Sequence, residues 1–210
     1  MTNLFLLDKQ GLVLAFLLGL AVYFFGGLEF LAIFFVFLIS SVVVTKYGYH
    51  KKRELGLYEH ERSWENVISN GLVPVLVLFL PFFGFSSIGA FLGAVAAINA
   101  DKFASELGVL SPDPIDLANL KKARNGKSGC ISLFGTFASF VGAITIGVFA
   151  HFLFPSSVDS WKIVFIGLIG FIGSFADSIA GVFEEKGIGN KSTSNIIGSA
   201  VGAILGLAFI

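Results

Sequence analysis

The sequence predicts an all-α polytopic membrane protein, a bundle of about seven transmembrane helices with its N-terminus cytoplasmic and its C-terminus external. Three observations carry that reading. Hydrophobic residues make up 55% of the 210, among them 25 phenylalanines, more than a soluble domain of this length can hide. The apolar residues fall in long runs separated by polar connections. The basic residues collect in alternate connections, as expected when positive charge resists translocation.

Crossing the hydrocarbon takes roughly 20 apolar residues, and fewer where neighbouring protein covers an end. The first span, Gly11–Gly27, follows Asp8 and Lys9 and lacks a small-residue cleavage site, so it reads as a retained helix. Leu28–Thr45 returns directly from the Gly26-Gly27 turn. Val67–Phe85 and Ser86–Ala100 form a second hairpin around Gly84–Ser87, ending at Asp101. Gly129–Phe154 follows a Lys- and Gly-rich stretch and ends at Pro155. Ile163–Phe183 starts after Lys162, and Asn195–Ile210 is the last span. The whole of 1–210 reads as one membrane domain, with an N-terminal helical hairpin over 1–45 and a motif-bearing bundle over 46–210.

With the N-terminus inside and seven spans, every Lys and Arg except Lys162 falls on the cytoplasmic side. The long connections 46–66, 101–128 and 184–194 share that side, and the external turns are short. Chemistry concentrated there suits a cytosolic solute. The formal net charge is zero, which gives no sign of a nucleic-acid partner. The single cysteine, Cys130, excludes an intramolecular disulfide.

Glycines recur at helical spacing. Gly89, Gly93 and Ala97 lead to Asp101 and Ser105, and Gly167, Gly170 and Gly173 lead to Asp177 and Gly181. The last span carries Gly198, Gly202 and Gly206. Such stripes let helix backbones approach closely in lipid. Two close-packed helices thus each bring an aspartate to the cytoplasmic end.

Ionisable groups at membrane depth face a polar cavity or a partner. Asp101, Glu106 and Asp177 suit Mg2+, which takes one or two carboxylates together with phosphate oxygens. The plainer alternative pairs Glu106 with Lys102 one helical turn away and leaves Asp177 as an interfacial cap. Between Lys121 and Gly135, the residues Lys122, Arg124, Gly126, Lys127, Ser128 and Gly129 precede a helix and suit an anion, unless they are simply a basic turn. Gly126-Lys127-Ser128 resembles the end of a Walker A sequence, but the upstream glycine is missing and no strand is expected before it, which excludes a P-loop. Arg62, Asn66 and Asn70 share a helical face and serve either a ligand or interhelical hydrogen bonds. Asn190, Lys191 and Asn195 read as polar capping of the last helix. His50, His60 and His151 have no metal-site spacing.

Four motifs occur in order: Arg62-Ser-Trp-Glu-Asn66 with Asn70-Gly71, Ala100-Asp101 with Ala104-Ser105-Glu106 and Gly108, Gly126 with Gly129, Ser132 and Gly135-Thr136, and Gly173-Ser174 with Asp177-Ser178 and Gly181. Together, from about Lys46 onward, they resemble the transmembrane protein 19 family, which includes the plant phytyl-phosphate kinase of tocopherol synthesis. Two stretches also look like the dolichol kinase and CDP-diacylglycerol synthase group, which uses CTP at the cytoplasmic membrane face. The chain departs from the family at Lys102, where threonine is usual, and in Gly126-Lys-Ser-Gly-Cys-Ile-Ser132, where Gly-Thr-Asn-Gly-Gly-Val-Ser is common.

The resemblance implies a CTP-dependent kinase that converts a polyprenyl monophosphate to its diphosphate, with Mg2+ as cofactor. It implies Asp101, Glu106 and Asp177 as metal ligands, or one aspartate as base. Lys122, Arg124, Gly126, Lys127, Ser128 and Gly129 would hold nucleotide phosphates. Arg62, Asn66, Asn70, Ser105, Ser178 and Asn195 would hold the lipid phosphate or the base. A cytidylyltransferase and a secondary transporter are the alternatives, and a homodimer stays open.

Overall fold

A computed structural model describes residues 7–58 and 63–210; Arg62 lies outside the described residues. The elements in order are α1 (Lys9–Gly26), α2 (Leu28–Lys46), α3 (Tyr49–Glu54), α4 (Trp64–Val77), α5 (Ile88–Gly108), β1 (Ile115–Asp116), β2 (Lys121–Lys122), β3 (Cys130–Ile131), α6 (Leu133–Leu153), α7 (Ser160–Glu184) and α8 (Lys191–Phe209). The expected all-α bundle is present. Among the described residues, six helices are long and apolar enough to cross a membrane: α1, α2, α4 with its 3-10 extension to Phe83, α6, α7 and α8.

The seventh long helix, α5, is the axis. It packs against α2, α4, α6, α7 and α8, and every residue from Gly89 to Ala100 is buried. Small side chains make this enclosure possible. A Cβ on Gly93 would meet the carbonyl of Gly202, one on Gly206 would meet the carbonyl of Gly89, and one on Gly173 would lie 2.8 Å from the Gly198 oxygen. The glycine stripes therefore place α5 and α7 against α8 with backbone on backbone.

Several boundaries differ from expectation, each for a local reason. Helix α6 starts at Leu133, not Gly129, because Ser132 caps it and accepts from the Gly135 N–H at 3.1 Å. Asn190 and Thr193 form a capping box, so α8 starts at Lys191 rather than Asn195. Pro74 removes a backbone donor within α4, which leaves α-geometry after Val77 and resumes as a 3-10 turn over Leu80–Phe83. Helix α5 runs on to Gly108, carrying Asp101 and Glu106 in regular helix.

The connection between α5 and α6 holds an antiparallel three-stranded sheet in the order β2-β1-β3, pairing Ile115 with both Lys122 and Ile131. Strands thus do precede the Gly126-Lys127-Ser128 segment, contrary to expectation. They are two residues long and antiparallel, so the strand–loop–helix of a P-loop is still absent.

The long connections gather at one end. Thr45 of α2 reaches Glu106 of α5, Gly129 of the sheet connection abuts Gly181 of α7, and Lys191 of α8 reaches Asp177. At the other end Phe30 packs on Phe91 and Phe154, and Lys162 donates to the Ile210 carbonyl at 3.0 Å. Among the described Lys and Arg residues, Lys162 alone sits at that second end. If the basic end faces the cytosol, cysteine at exposed Ser156 should react with an impermeant thiol reagent on intact cells, in a Cys130→Ser background. Cysteine at exposed Lys186 should react only after permeabilisation. The reverse pattern would invert the orientation.

Candidate functional site

At the basic end a cavity of about 370 Å³ opens between α4, α5, α6, α7, α8 and the connection carrying the sheet. Its floor is built by the glycine stripes. A Cβ on Gly170 would sit 2.6 Å from that of Ala143 and 2.8 Å from the Ala96 carbonyl, so α7 lies close against both α5 and α6. Two turns further along α7, Asp177 stands beside Asp101 of α5. Lys191, the first residue of α8, lies between them, its ammonium 2.8 Å from Asp177 Oδ1 and 3.7 Å from Asp101 Oδ2. With its amide nitrogen turned toward the carboxylate, Asn195 donates to Asp177 Oδ2 at 3.0 Å and to the Lys191 carbonyl at 3.2 Å. Asp177 is thus satisfied on both oxygens.

Asn66, Asn70, Ser105, Ser178 and Asn195 all line the cavity, as do Gly126, Lys127, Ser128 and Gly129. Lys122 and Arg124 do not line it. Lys122 instead pairs with Asp113 at 3.0 Å on the open surface. Phe171 and Phe175 form an apolar flank on α7.

Glu106 borders the cavity but does not join the aspartates. Its Oε2 takes the Lys52 ammonium at 2.8 Å, its Oε1 takes the Thr45 hydroxyl at 2.7 Å, and Lys102 stands 3.6 Å away. Lys52 is completely buried and also donates to the carbonyls of Val44 at 2.8 Å and Thr45 at 3.1 Å, which closes the end of α2. A carboxylate so engaged ties α2 to α5. The expected three-carboxylate metal set is therefore reduced to two. No group of three or more His, Cys, Asp or Glu among the described residues is placed to hold a metal ion. The Asp101–Asp177 pair still fits Mg2+, which binds through one or two carboxylates and fills its octahedron with waters and phosphate oxygens.

The glycine-rich connection forms the roof and is held by its own contacts. Asn125 donates to the Val109 carbonyl at 2.7 Å and the Ser111 carbonyl at 3.1 Å. Gly129 has φ +70°, and a Cβ there would lie 2.7 Å from the Val182 nitrogen, so only glycine fits. Ser128 donates its hydroxyl to Glu184 at 3.1 Å and its N–H to Glu185 at 3.2 Å. Both Ser128 donors expected to reach nucleotide phosphate are thus engaged by the chain's own carboxylates.

Lys127 donates to Asp116 Oδ2 at 2.6 Å, so the ammonium expected to reach nucleotide phosphate is shared with the loop itself. The hydrogen bond from Lys127, reinforced by the Ala118 N–H, holds the Asp116 carboxyl below its ordinary value, and Asp116 raises that of Lys127. Burial pushes the Cys130 thiol up, away from reactive thiolate. A depressed carboxylate stabilises the fold above its unfolded value, near 3.8, and loses that contribution as pH falls through the folded value. Amide-exchange protection over 115–122, corrected for intrinsic rates, should accordingly hold at neutral pH and drop below about pH 4. Lys127→Met should lower it already at pH 7. Protection indifferent to both changes would show that the pair does not hold the loop.

Lys191 and Glu184 are the site residues that sequence reasoning missed. Lysine at a helix N-terminus faces the positive end of the helix dipole, a placement that signals a partner beyond the cap.

The model of a family described as "Integral membrane protein DUF92" matches residues 2–206. An uncharacterized membrane protein of Methanocaldococcus jannaschii is 37% identical over 205 residues, covering 96% of this chain and 84% of the relative. Protein PGR of Arabidopsis thaliana is 31% identical over 204 residues, covering 83% of this chain and 70% of the relative. No solved structure matches. With nearly its full length matched, the chain belongs to the DUF92 family of integral membrane proteins.

Proposed function

We propose that this protein is a CTP- and Mg2+-dependent kinase that converts a polyprenyl monophosphate, of phytyl or geranylgeranyl type, to its diphosphate at the cytoplasmic membrane face. The observation that carries the reading is the meeting of Asp101 and Asp177 in a polar cavity at the basic end of a lipid-embedded bundle. Phosphoryl transfer asks a protein for positioning and charge neutralisation more than for covalent chemistry, and this cavity offers both.

Asp101 and Asp177 would hold Mg2+, which when bound neutralises charge on the phosphates. Ser128 and the flanking glycines, with Lys127 beside them, would receive the nucleotide phosphates from above. Asn66, Asn70, Ser105 and Ser178 would hold the acceptor phosphate or the cytosine. Phe171 and Phe175, the latter 41% exposed, give the isoprenoid chain a route from lipid to the cavity. An acceptor phosphate needs no base, because its second ionisation lies near pH 6 and its oxygen is already anionic. Both aspartates are therefore available for the metal. An acceptor oxygen attacks the γ-phosphorus, and the bond to the β-phosphate oxygen breaks with release of CDP.

Transport is less well supported. Polar groups cluster at one end, whereas the other half is filled by Phe91, Leu92, Val95, Ile146 and Ile166, all fully buried. The deciding experiment incubates the purified protein with CTP, Mg2+ and geranylgeranyl phosphate and resolves the products by mass spectrometry. Lipid diphosphate with CDP supports the kinase. A CDP-lipid with pyrophosphate would replace it with a cytidylyltransferase, and no conversion of this or phytyl phosphate would overturn the proposal.

A further inference from the structure

We infer that Lys191 is the resident counter-cation of the aspartate pair, displaced by the divalent cation when nucleotide arrives and then engaged with a nucleotide phosphate. The inference rests on the metal site of the proposed function. It concerns a residue that a capping role does not explain, because Asn190 and Thr193 already close the end of α8.

Three features point this way. First, Lys191 is at the N-terminus of α8, where the helix dipole repels a cation, and it is held there by two carboxylates from two other helices. Asp101 and Asp177 packed this closely would repel each other without a cation between them. Second, the two partners differ in freedom. The Lys191 side chain is 49% exposed and borders the cavity, while those of Asp177 and Asp101 are 5% and 16% exposed. The carboxylates are fixed, and the ammonium is on a flexible stem that can leave. Asn195 helps fix Asp177 by donating to its Oδ2.

Third, one ammonium neutralises only half the charge of two carboxylates. A divalent cation neutralises both and repels the ammonium from the same position. The displaced lysine needs an anion within reach of a helix N-terminus, which is where phosphate is favoured. The nucleotide supplies that anion together with the metal. Metal and nucleotide should therefore bind cooperatively, with Lys191 as the link.

The probe is Mn2+ alone, counted by the electron paramagnetic resonance of the free ion over purified full-length protein. Without nucleotide, Lys191→Met should bind Mn2+ at least tenfold more tightly than wild type, because the competing ammonium is gone. Lys191→Arg, which keeps the charge, should remain close to wild type. Adding CTP should tighten Mn2+ on wild type and do much less for Lys191→Met. The double variant Lys191→Met/Asp177→Asn should lose the gain, which places it at this carboxylate pair. A lysine that merely braces the structure predicts the opposite, weaker Mn2+ binding in Lys191→Met. Equal or weaker binding there would overturn the inference, and Lys191→Gln replaces the methionine variant if that one fails to fold. If wild type makes no lipid diphosphate yet Lys191→Met shows the gain, the exchange stands and the kinase reading fails.

Discussion

On the proposed kinase reading, Asp101→Asn and Asp177→Asn should each reduce conversion of a polyprenyl monophosphate to background while the bundle still folds. The amide keeps the size of the carboxylate and loses its charge, so it isolates metal binding from packing. Asp177 has Lys191 on one oxygen and Asn195 on the other, and Lys191 is half exposed with Asp101 still near. Loss of one charge therefore leaves no ammonium stranded, and the stability cost should be modest, about 1–2 kcal/mol. The proposed metal site has no such reserve, because Glu106 is engaged by Lys52 and Thr45 and is not placed to replace a missing aspartate. Two measurements check this. Product formation should vanish in both variants. Thermal stabilisation of the wild type by CTP should require Mg2+, and should shrink in both variants. Glu106→Gln separates the roles: it should lower the melting temperature through the buried Lys52 while leaving Mg2+-dependent stabilisation by CTP measurable. Near-wild-type turnover in either asparagine variant would remove the metal site from the proposal.

Much of this architecture was legible because it depends on periodicity within single helices. The spacing of Gly89, Gly93 and Ala97, and of Gly167, Gly170 and Gly173, marks faces that must be narrow. Each face runs into an aspartate, so the meeting of Asp101 with Asp177 followed from two independent helical patterns. Charge distribution likewise put the long connections at one end. Partners supplied by other helices were not legible. Lys102 was visible beside Glu106 because the two are one turn apart. Lys52, which holds the same carboxylate at 2.8 Å, comes from a short helix 54 residues earlier. Lys191 was hidden differently, since a lysine after asparagine at a helix start looks like part of the cap. The roof was misread in its details because its basic residues look alike in sequence. Lys127 faces Asp116 and Lys122 faces Asp113, a distinction set by the two-residue strands that orient the connection.

The largest structural effect should come from a single methyl group at Gly93. A Cβ there would lie on the Gly202 carbonyl, and a Cβ at Gly202 would lie on the Gly93 carbonyl. Neither obstacle is a side chain that can rotate away; both are helix backbone, so α5 and α8 would have to separate along their length. Separation would also open the Gly89–Gly206 contact and move Lys191 and Asn195 away from the aspartates. Overpacking in a core commonly costs 1–3 kcal/mol, and a backbone obstacle belongs at or beyond the upper end, so Gly93→Ala should lower the melting temperature by about 10 °C or more. Gly19→Ala is the matched comparison. Gly19 is also a glycine inside an apolar helix, but its nearest neighbour is the Leu31 side chain at 3.8 Å, an ordinary contact. Alanine there should stabilise by up to about 1 kcal/mol through helix propensity. The same substitution should thus change sign between α1, which lies at the edge, and α5, which is enclosed. Equal melting temperatures for the two variants in detergent would mean that the α5–α8 backbone contact does not set the stability of the bundle, and that the aspartates are brought together by something other than the glycine stripes.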